Sequence, residues 1–452
     1  MLQFSEKHFK RPLPYIIIML IGLSMRLLNI NDGLWLDEIW SMNISGVENS
    51  ALDIIEACKT DTHPPLYDLL LHYFLLLVGD SDISGRILSL IIGFLGIIST
   101  FYYTLRITKK YKTSFLAFTL ITFSFFHIYY SGEGRFYTFL YFLSLGAISE
   151  LYLFLTTKRY NRLFLFVFYS LILVYTHYYG AILLFVLSIL VFLLWIMKEI
   201  NTKTFLYFAL SGFVILAIFS PWLPYMLVRK SNSSWMSEPK IWDFFEYLYL
   251  YTGKNPVEFI FILLALSMSI KNMKSNVILN TIFIGAIILG FIVPFVVSYL
   301  STPMLHNRYT FIYYPCIIIL TSIFWGQTDI LKGKKIMIYV VVFGSIFFNF
   351  FFINKFIDGA HLEPWRDASL EIRKDREGEK INIYCEQDFH LNYYLKKSNV
   401  KLSSYVLKEE GSFLWHFKTP YDKVAFSLNQ QYQIEEQIEY EGGFVLTLYK
   451  KE

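Results

Sequence analysis

Charge is scarce in this chain. Only 17% of its 452 residues are Asp, Glu, Lys or Arg, against roughly 25% in an ordinary globular chain, and this shortage excludes a soluble enzyme, a disordered chain and a coiled coil. Cysteine is nearly absent: Cys58, Cys316 and Cys385 are scattered without C-x-x-C spacing, so neither a disulfide framework nor a cysteine-based metal site is implied. The sequence also lacks a Gly-rich nucleotide-binding loop, an internal repeat and a low-complexity segment. Abundance lies on the apolar side, with 55% hydrophobic and 19% aromatic residues. The net charge of +4 says little as a total. Its distribution says more.

A division at Lys355 separates two materials. Residues 355–452 carry 31 charged side chains in 98 positions, whereas residues 1–354 carry only 45. Uncharged runs near the ~20 residues needed to cross a bilayer occur at 87–105, 113–132, 163–197, 204–228, 275–305, 309–328 and 336–354. The longest, 163–197, divides into two helices at THYYG (176–180). Weaker spans at 12–30, 136–157 and 256–270 bring the expected count to about eleven. The fold class is therefore an all-α polytopic membrane bundle (1–354) with a small α/β domain (355–452). Period-two runs at 381–385, 423–428 and 444–449 supply that domain's strands, and 367–374 and 388–397 its helices.

Basic residues collect at every second connection: Lys7/Lys10/Arg11, Arg106/Lys109/Lys110/Lys112, Lys158/Arg159/Arg162, Lys198/Lys203, Lys271/Lys274 and Lys332/Lys334/Lys335. Short cytoplasmic loops are enriched in Lys and Arg. The intervening loops 31–82, 131–135, 176–180, 229–255 and 301–308, together with the tail, should face outward. The N-terminus is then cytoplasmic, the tail extracytoplasmic and the location the plasma membrane. The first span has no small-residue cleavage site and is expected to stay as an anchor.

The candidate chemistry lies in the outward loops. Asp37 and Glu38 follow the first span between Trp35 and Trp40; partial desolvation of this kind lets two neighbouring carboxyl groups take different roles. The plainer reading is a solvated pair beside an interfacial aromatic belt. His63 precedes two prolines, which favour a helix starting after it; residues 66–79 then read as an amphipathic helix along the outer surface. His63 suits a phosphate or a carboxylate, or simply packing, and Asp61 and Asp68 are equally open. Glu133 and Arg135 sit in a five-residue loop held close to the bilayer. Arg308, followed by Tyr309, opens an outer membrane entry, where its planar fork can grip a phosphate or snorkel to headgroups. Arg26 and Arg86 add positive charge on the same side. Glu150, near the inner face, reads as a structural partner.

In order and in their common outward side, these residues resemble one family: the polytopic GT-C glycosyltransferases of the protein O-mannosyltransferase and aminoarabinose transferase group, similar to glycosyltransferase family 39. The resemblance rests on LDE (36–38), HPPLY (63–67), GRILSLIIG (85–93), EGRFYTFL (133–140), THYYG (176–180) and NRYTFIYYP (307–315), and covers the chain to about residue 330. It implies transfer of a sugar from a polyprenyl-phosphate donor to an acceptor on the outer face, the acceptor being a protein, a lipid or a cell-wall glycan. By that likeness Asp37 is the general base with Glu38 beside it, and Glu133 stands near the donor sugar. Arg308, with Arg135, His63, Arg86 and Tyr309, serves the lipid phosphate. The second loop holds Glu133 where several relatives have Asp, so no paired-Asp cation site is evident; a divalent cation, Mg or Mn, is the one cofactor the resemblance brings. No nucleic acid is expected as a partner. The rival readings are a transporter or flippase for lipid-linked sugars and a non-catalytic anchor displaying its tail.

Overall fold

Where no water reaches the backbone, peptide groups must bond to one another, and long apolar runs become helices. A computed structural model of the protein describes residues 12–28, 30–228, 236–271, 273–327, 333–358, 363–374, 382–386, 388–396, 413–420, 422, 432–440 and 443–451. The basic flank Lys7/Lys10/Arg11, Lys332, the loop residues 229–235 and the expected strand at 423–428 lie outside them.

The chain enters through α1 (Leu13–Leu27) and makes three short helices, α2 (Leu36–Ile44), α3 (Ala51–Cys58) and α4 (Leu66–Val78). The bundle follows as α5 (Asp82–Thr108), α6 (Tyr111–Thr122), α7 (Phe125–Ser131), α8 (Tyr137–Thr157), α9 (Tyr160–Thr176), α10 (Tyr179–Ile196), α11 (Thr202–Phe219) and α12 (Leu223–Val228). It continues through α13 (Asp243–Tyr251), α14 (Pro256–Lys271), α15 (Val277–Leu300), α16 (Asn307–Thr310), α17 (Tyr314–Gln327) and α18 (Lys334–Asp358). Each expected span is helical. Among the described residues six helices are long and apolar enough to cross a membrane, or eight if α6 with α7 and α13 with α14, bent by 57° and 118°, count as single spans. Beside these, α1, α4, α9 and the Lys335–Phe350 part of α18 are shorter apolar helices.

Helix α8 is the axis of the bundle. It is apolar all round, as a helix enclosed by others must be, and Leu140, Tyr141, Leu145, Ala147, Leu151 and Leu155 along it are wholly buried. At its far end Glu150 accepts from Arg162 at 2.9 and 3.1 Å, the structural pairing the sequence suggests. Arg26 of α1 is buried where α6 breaks into α7: it donates to the Thr122 carbonyl at 2.9 Å, to Ser131 Oγ at 3.2 Å, and meets His127 Nδ1 at 2.9 Å. Its charge secures that bend.

The tail forms α19 (Trp365–Lys374), β1 (Asn382–Tyr384), α20 (Asp388–Lys396), β2 (Phe413–Lys418), β3 (Tyr432–Tyr440) and β4 (Phe444–Lys451). The sheet order is β1-β2-β4-β3, with β1 parallel to β2 and the other pairs antiparallel. The strands β2 and β3 were not evident in the sequence. The tail packs at the α2 end of the bundle, where Trp40 stacks on Phe389 at 5.1 Å.

Candidate active site

The site is built around the first turn of α2. Trp35 is its N-cap in extended conformation, and Asp37 and Glu38 follow at the positions where helix dipole and unsatisfied N–H groups favour carboxylates. Glu38 turns back to the Trp35 N–H at 3.3 Å, closing a capping box. Helical spacing sends the two neighbouring carboxylates in different directions.

Glu38 points inward and is wholly buried. Arg86 of α5 grips it with both edges of its fork, Nε to Oε1 at 2.8 Å and Nη2 to Oε2 at 2.6 Å. The Gly134 N–H adds a third donor at 2.6 Å. Arg86 also donates to the carbonyls of Asp32 at 2.7 Å and Gly33 at 3.0 Å. Glu38 and Arg86, expected to serve substrate, are thus committed to joining α2, α5 and the second outward loop. Gly134 fits closely there: a Cβ would come within 3.3 Å of the Gly85 backbone and 3.4 Å of Glu38, so its neighbours would have to give by a few tenths of an ångström.

Asp37 points the other way and keeps a third of its side chain exposed, enough for a substrate to reach it. Arg308 Nη1 donates to its Oδ2 at 3.2 Å, with the two side chains 24% and 32% exposed respectively. The Arg308 guanidinium lies over the Trp35 ring, 4.9 Å from its centroid. Arg135 donates to the Asp37 carbonyl at 3.1 Å and to Ser41 Oγ. Its guanidinium lies 4.8 Å over Phe136, and its Nε is buried with no hydrogen-bond partner among the described residues.

Glu133 is buried beside these groups. Burial pushes its carboxyl well above the usual range; Arg308 opposes that shift, while Glu38 and Asp37 reinforce it. A shift in this direction favours the neutral carboxyl, the form that can donate a hydrogen bond.

His63, also buried, stacks on Phe136 at 4.5 Å and on His177 at 4.9 Å. His177 in turn packs on Tyr309 at 4.8 Å. Burial holds both imidazoles below their ordinary range, so the aromatic wall beside Arg135 is neutral. His177 and Trp35 stood inside quoted motifs but were not singled out as site residues. An alternating signal could not have marked them, since rings are everywhere in this chain.

Glu363 carried no motif. Its Oε2 accepts from the Leu36 N–H at 2.8 Å and from Trp365 Nε1 at 2.8 Å. Tyr394 Oη accepts from the Leu34 N–H at 2.8 Å, and Arg366 donates to the Asn31 carbonyl at 2.8 Å. The tail therefore holds the segment that leads into Asp37.

The donors do not suit Mg or Mn. Among the described residues the one group gathered closely enough for an ion is Cys58, Asp61 and Asp68, and its thiol is a poor ligand for cations that take oxygen. Within it Cys58 donates to Asp68 at 3.7 Å, and Asp61 accepts from Trp40 Nε1 at 3.2 Å.

Residues 62–225 match the family model described as dolichyl-phosphate-mannose-protein mannosyltransferase. No curated protein matches the chain by sequence. Among solved structures it is similar to ArnT from Cupriavidus metallidurans bound to undecaprenyl phosphate, at 11% identity over 96% of this chain and 97% of that chain, TM-score 0.63. The apo state of the same protein gives 12% identity, the same coverage and a TM-score of 0.64. The Archaeoglobus fulgidus oligosaccharyltransferase in the apo form gives 10% identity over 85% of this chain and 64% of that chain, TM-score 0.58. The resemblance to the GT-C glycosyltransferases therefore holds in fold along nearly the whole chain.

Proposed function

We propose that this membrane protein, with its GT-C glycosyltransferase fold, moves a sugar from a polyprenyl-phosphate donor to an acceptor at the end of the bundle that carries α2 and the tail. The observation that carries the reading is the meeting of Asp37 and Arg308, a partly exposed carboxylate and a guanidinium backed by Trp35. A lipid phosphate as leaving group is supported by the family segment and by the undecaprenyl phosphate bound to the similar ArnT structure.

In this reading the acceptor hydroxyl or amine attacks the anomeric carbon while the Asp37 carboxylate takes its proton. The bond from that carbon to the phosphate oxygen breaks, the configuration inverts, and the carrier leaves as polyprenyl phosphate. Arg308 bears the charge developing on the phosphate, and Arg135 adds positive potential. Protonated Glu133 donates to the sugar, and the tilted rings of His63, His177 and Tyr309 form a neutral wall beside it. Glu38 and Arg86 hold the scaffold. No step is routed through a metal.

The test is transfer by the purified protein in lipid nanodiscs supplied with synthetic polyprenyl-phosphate sugars, scored as release of polyprenyl phosphate. Release that depends on Asp37 supports the reading. Passage of the intact lipid-linked sugar across a vesicle membrane without release would favour a flippase instead.

A further inference from the structure

Helix α5, 27 residues long, carries the chain about 40 Å from the candidate site, to the bundle end bearing Lys110 and Lys112. There α1, α6, α17 and α18 leave a groove of about 670 Å³ between them. Its mouth is set with Lys110, Lys112 and Lys335, all exposed. Its walls are apolar: Ile17 and Ile21 of α1, Phe115 of α6, and Tyr339, Val342 and Phe343 of α18. The groove exists because α1 and α18 pack onto a small separate core of Met25, Phe123, Phe125 and Ile128, to which Ile18, Ile21, Val342 and Ile346 add.

We infer that this groove binds one anionic phospholipid of the adjacent leaflet, its phosphate held by the three lysines and an acyl chain laid between α1 and α18. Three observations converge on that occupant. From Lys112 to Phe123, and from Lys335 to Ile346, the groove runs eleven residues along a helix, about 16 Å, close to half of a ~30 Å hydrocarbon core. That depth matches a chain confined to one leaflet and is far too shallow for a polyprenyl tail. Three cations at the mouth attract a net negative headgroup and repel the ammonium of a zwitterionic one. Lysine clusters also mark the cytoplasmic side, where anionic lipid is available. A lipid seated there would bridge α1 and α18, and so act as part of the bundle's packing. The proposal stands apart from the catalytic reading, because the groove and Asp37 lie at opposite ends.

Lipid titration of the purified full-length protein followed by native mass spectrometry tests it, with phosphatidylglycerol, phosphatidylcholine and polyprenyl phosphate as separate probes. Phosphatidylglycerol should bind more tightly than phosphatidylcholine. Replacing Lys110, Lys112 and Lys335 together by Gln should weaken it by about a hundredfold, since each cation near an anionic surface contributes roughly fivefold. Val342→Trp, which fills the groove without touching charge, should weaken both phospholipids. Equal affinities in the wild type, or phosphatidylglycerol binding untouched by either variant, would overturn the proposal as ordinary boundary lipid. Lysine-dependent binding of polyprenyl phosphate that excludes phosphatidylglycerol would overturn the choice of occupant. Should the triple variant fail to fold, the wild-type comparison and Val342→Trp decide between these results.

Discussion

Arg308 and Asp37 stand 271 positions apart in the chain and meet at 3.2 Å. Neither is locked: each keeps between a quarter and a third of its side chain exposed, where a screened ion pair contributes little to stability. The contrast with Glu38, next along the helix and wholly buried in the fork of Arg86, separates a partly open from an enclosed carboxylate within one turn. A partly exposed pair leaves both side chains within reach of a substrate.

Asp37→Asn should lower the transfer rate by roughly 10²- to 10⁴-fold, the contribution of a general base, while leaving thermal stability and carrier binding near wild type. Arg308→Ala should act on the other half of the reaction and raise KM for the donor. Steady-state kinetics with varied donor, beside a fluorescence binding assay for polyprenyl phosphate, reads both. Full turnover by Asp37→Asn would remove the base from this residue.

Glu133 offers a sharper discrimination. In the proposed reaction its buried carboxyl, pushed well up by desolvation, acts as a neutral donor, and Gln is a neutral donor of the same shape. Glu133→Gln should retain transfer within about tenfold, and its rate should persist at higher pH, where the wild-type carboxyl ionises and loses activity. A Gln variant as dead as Glu133→Ala at every pH would mean the residue works as a carboxylate.

Breaking the buried pair has a different signature. Arg86→Leu leaves Glu38 enclosed with its main cation gone, a change that costs about 3–5 kcal/mol. The loss should appear as a lower melting temperature in detergent for Arg86→Leu and Glu38→Ala alike. The double variant should recover part of it, because the uncompensated charge is then gone. Activity losses in the singles should follow the folded fraction, whereas Asp37→Asn should be inactive though fully folded.

Much of this architecture was legible because hydrocarbon imposes a strong code. Predominantly apolar runs, with isolated charges such as Arg26 and Glu150 inside them, became helices at 13–27, 82–108, 137–157 and 277–300, and the alternation at 444–449 became β4. The crossing count was less legible, since breaks such as that between α13 and α14 depend on packing and leave little trace in composition. Asp37, Glu133 and Arg308 could be named from scarcity, a charge in an apolar region being rare enough to signify. Their partners could not. Arg86 and Arg308 look alike in sequence, and only the fold shows which one is gripped by Glu38 and which faces Asp37. The strand β2, FLWHFK, is apolar on nearly every residue and lacks the period-two signal used to find its neighbours.

The contact from Glu363 to the Leu36 N–H leads to the last prediction, because it ties the start of α2 to the tail. The first N–H groups of a helix have no intrahelical acceptor, and here a carboxylate 327 positions away supplies one, one residue before Asp37. That contact fixes the entry angle of α2 and so the direction of the Asp37 side chain. Glu363→Ala should therefore lower kcat, on the order of tenfold to a hundredfold for a displaced reacting group, and leave the donor KM nearly unchanged, since Arg308 is untouched. Glu363→Asp, whose shorter arm keeps the charge, should restore part of the rate, and Glu363→Gln less, as a neutral amide is a weaker acceptor at a helix start. A purely structural role would lower melting temperature and amount of folded protein without splitting kcat from KM. Equal kinetics for wild type and Glu363→Ala would show that α2 holds its orientation through Glu38 and Arg86 alone.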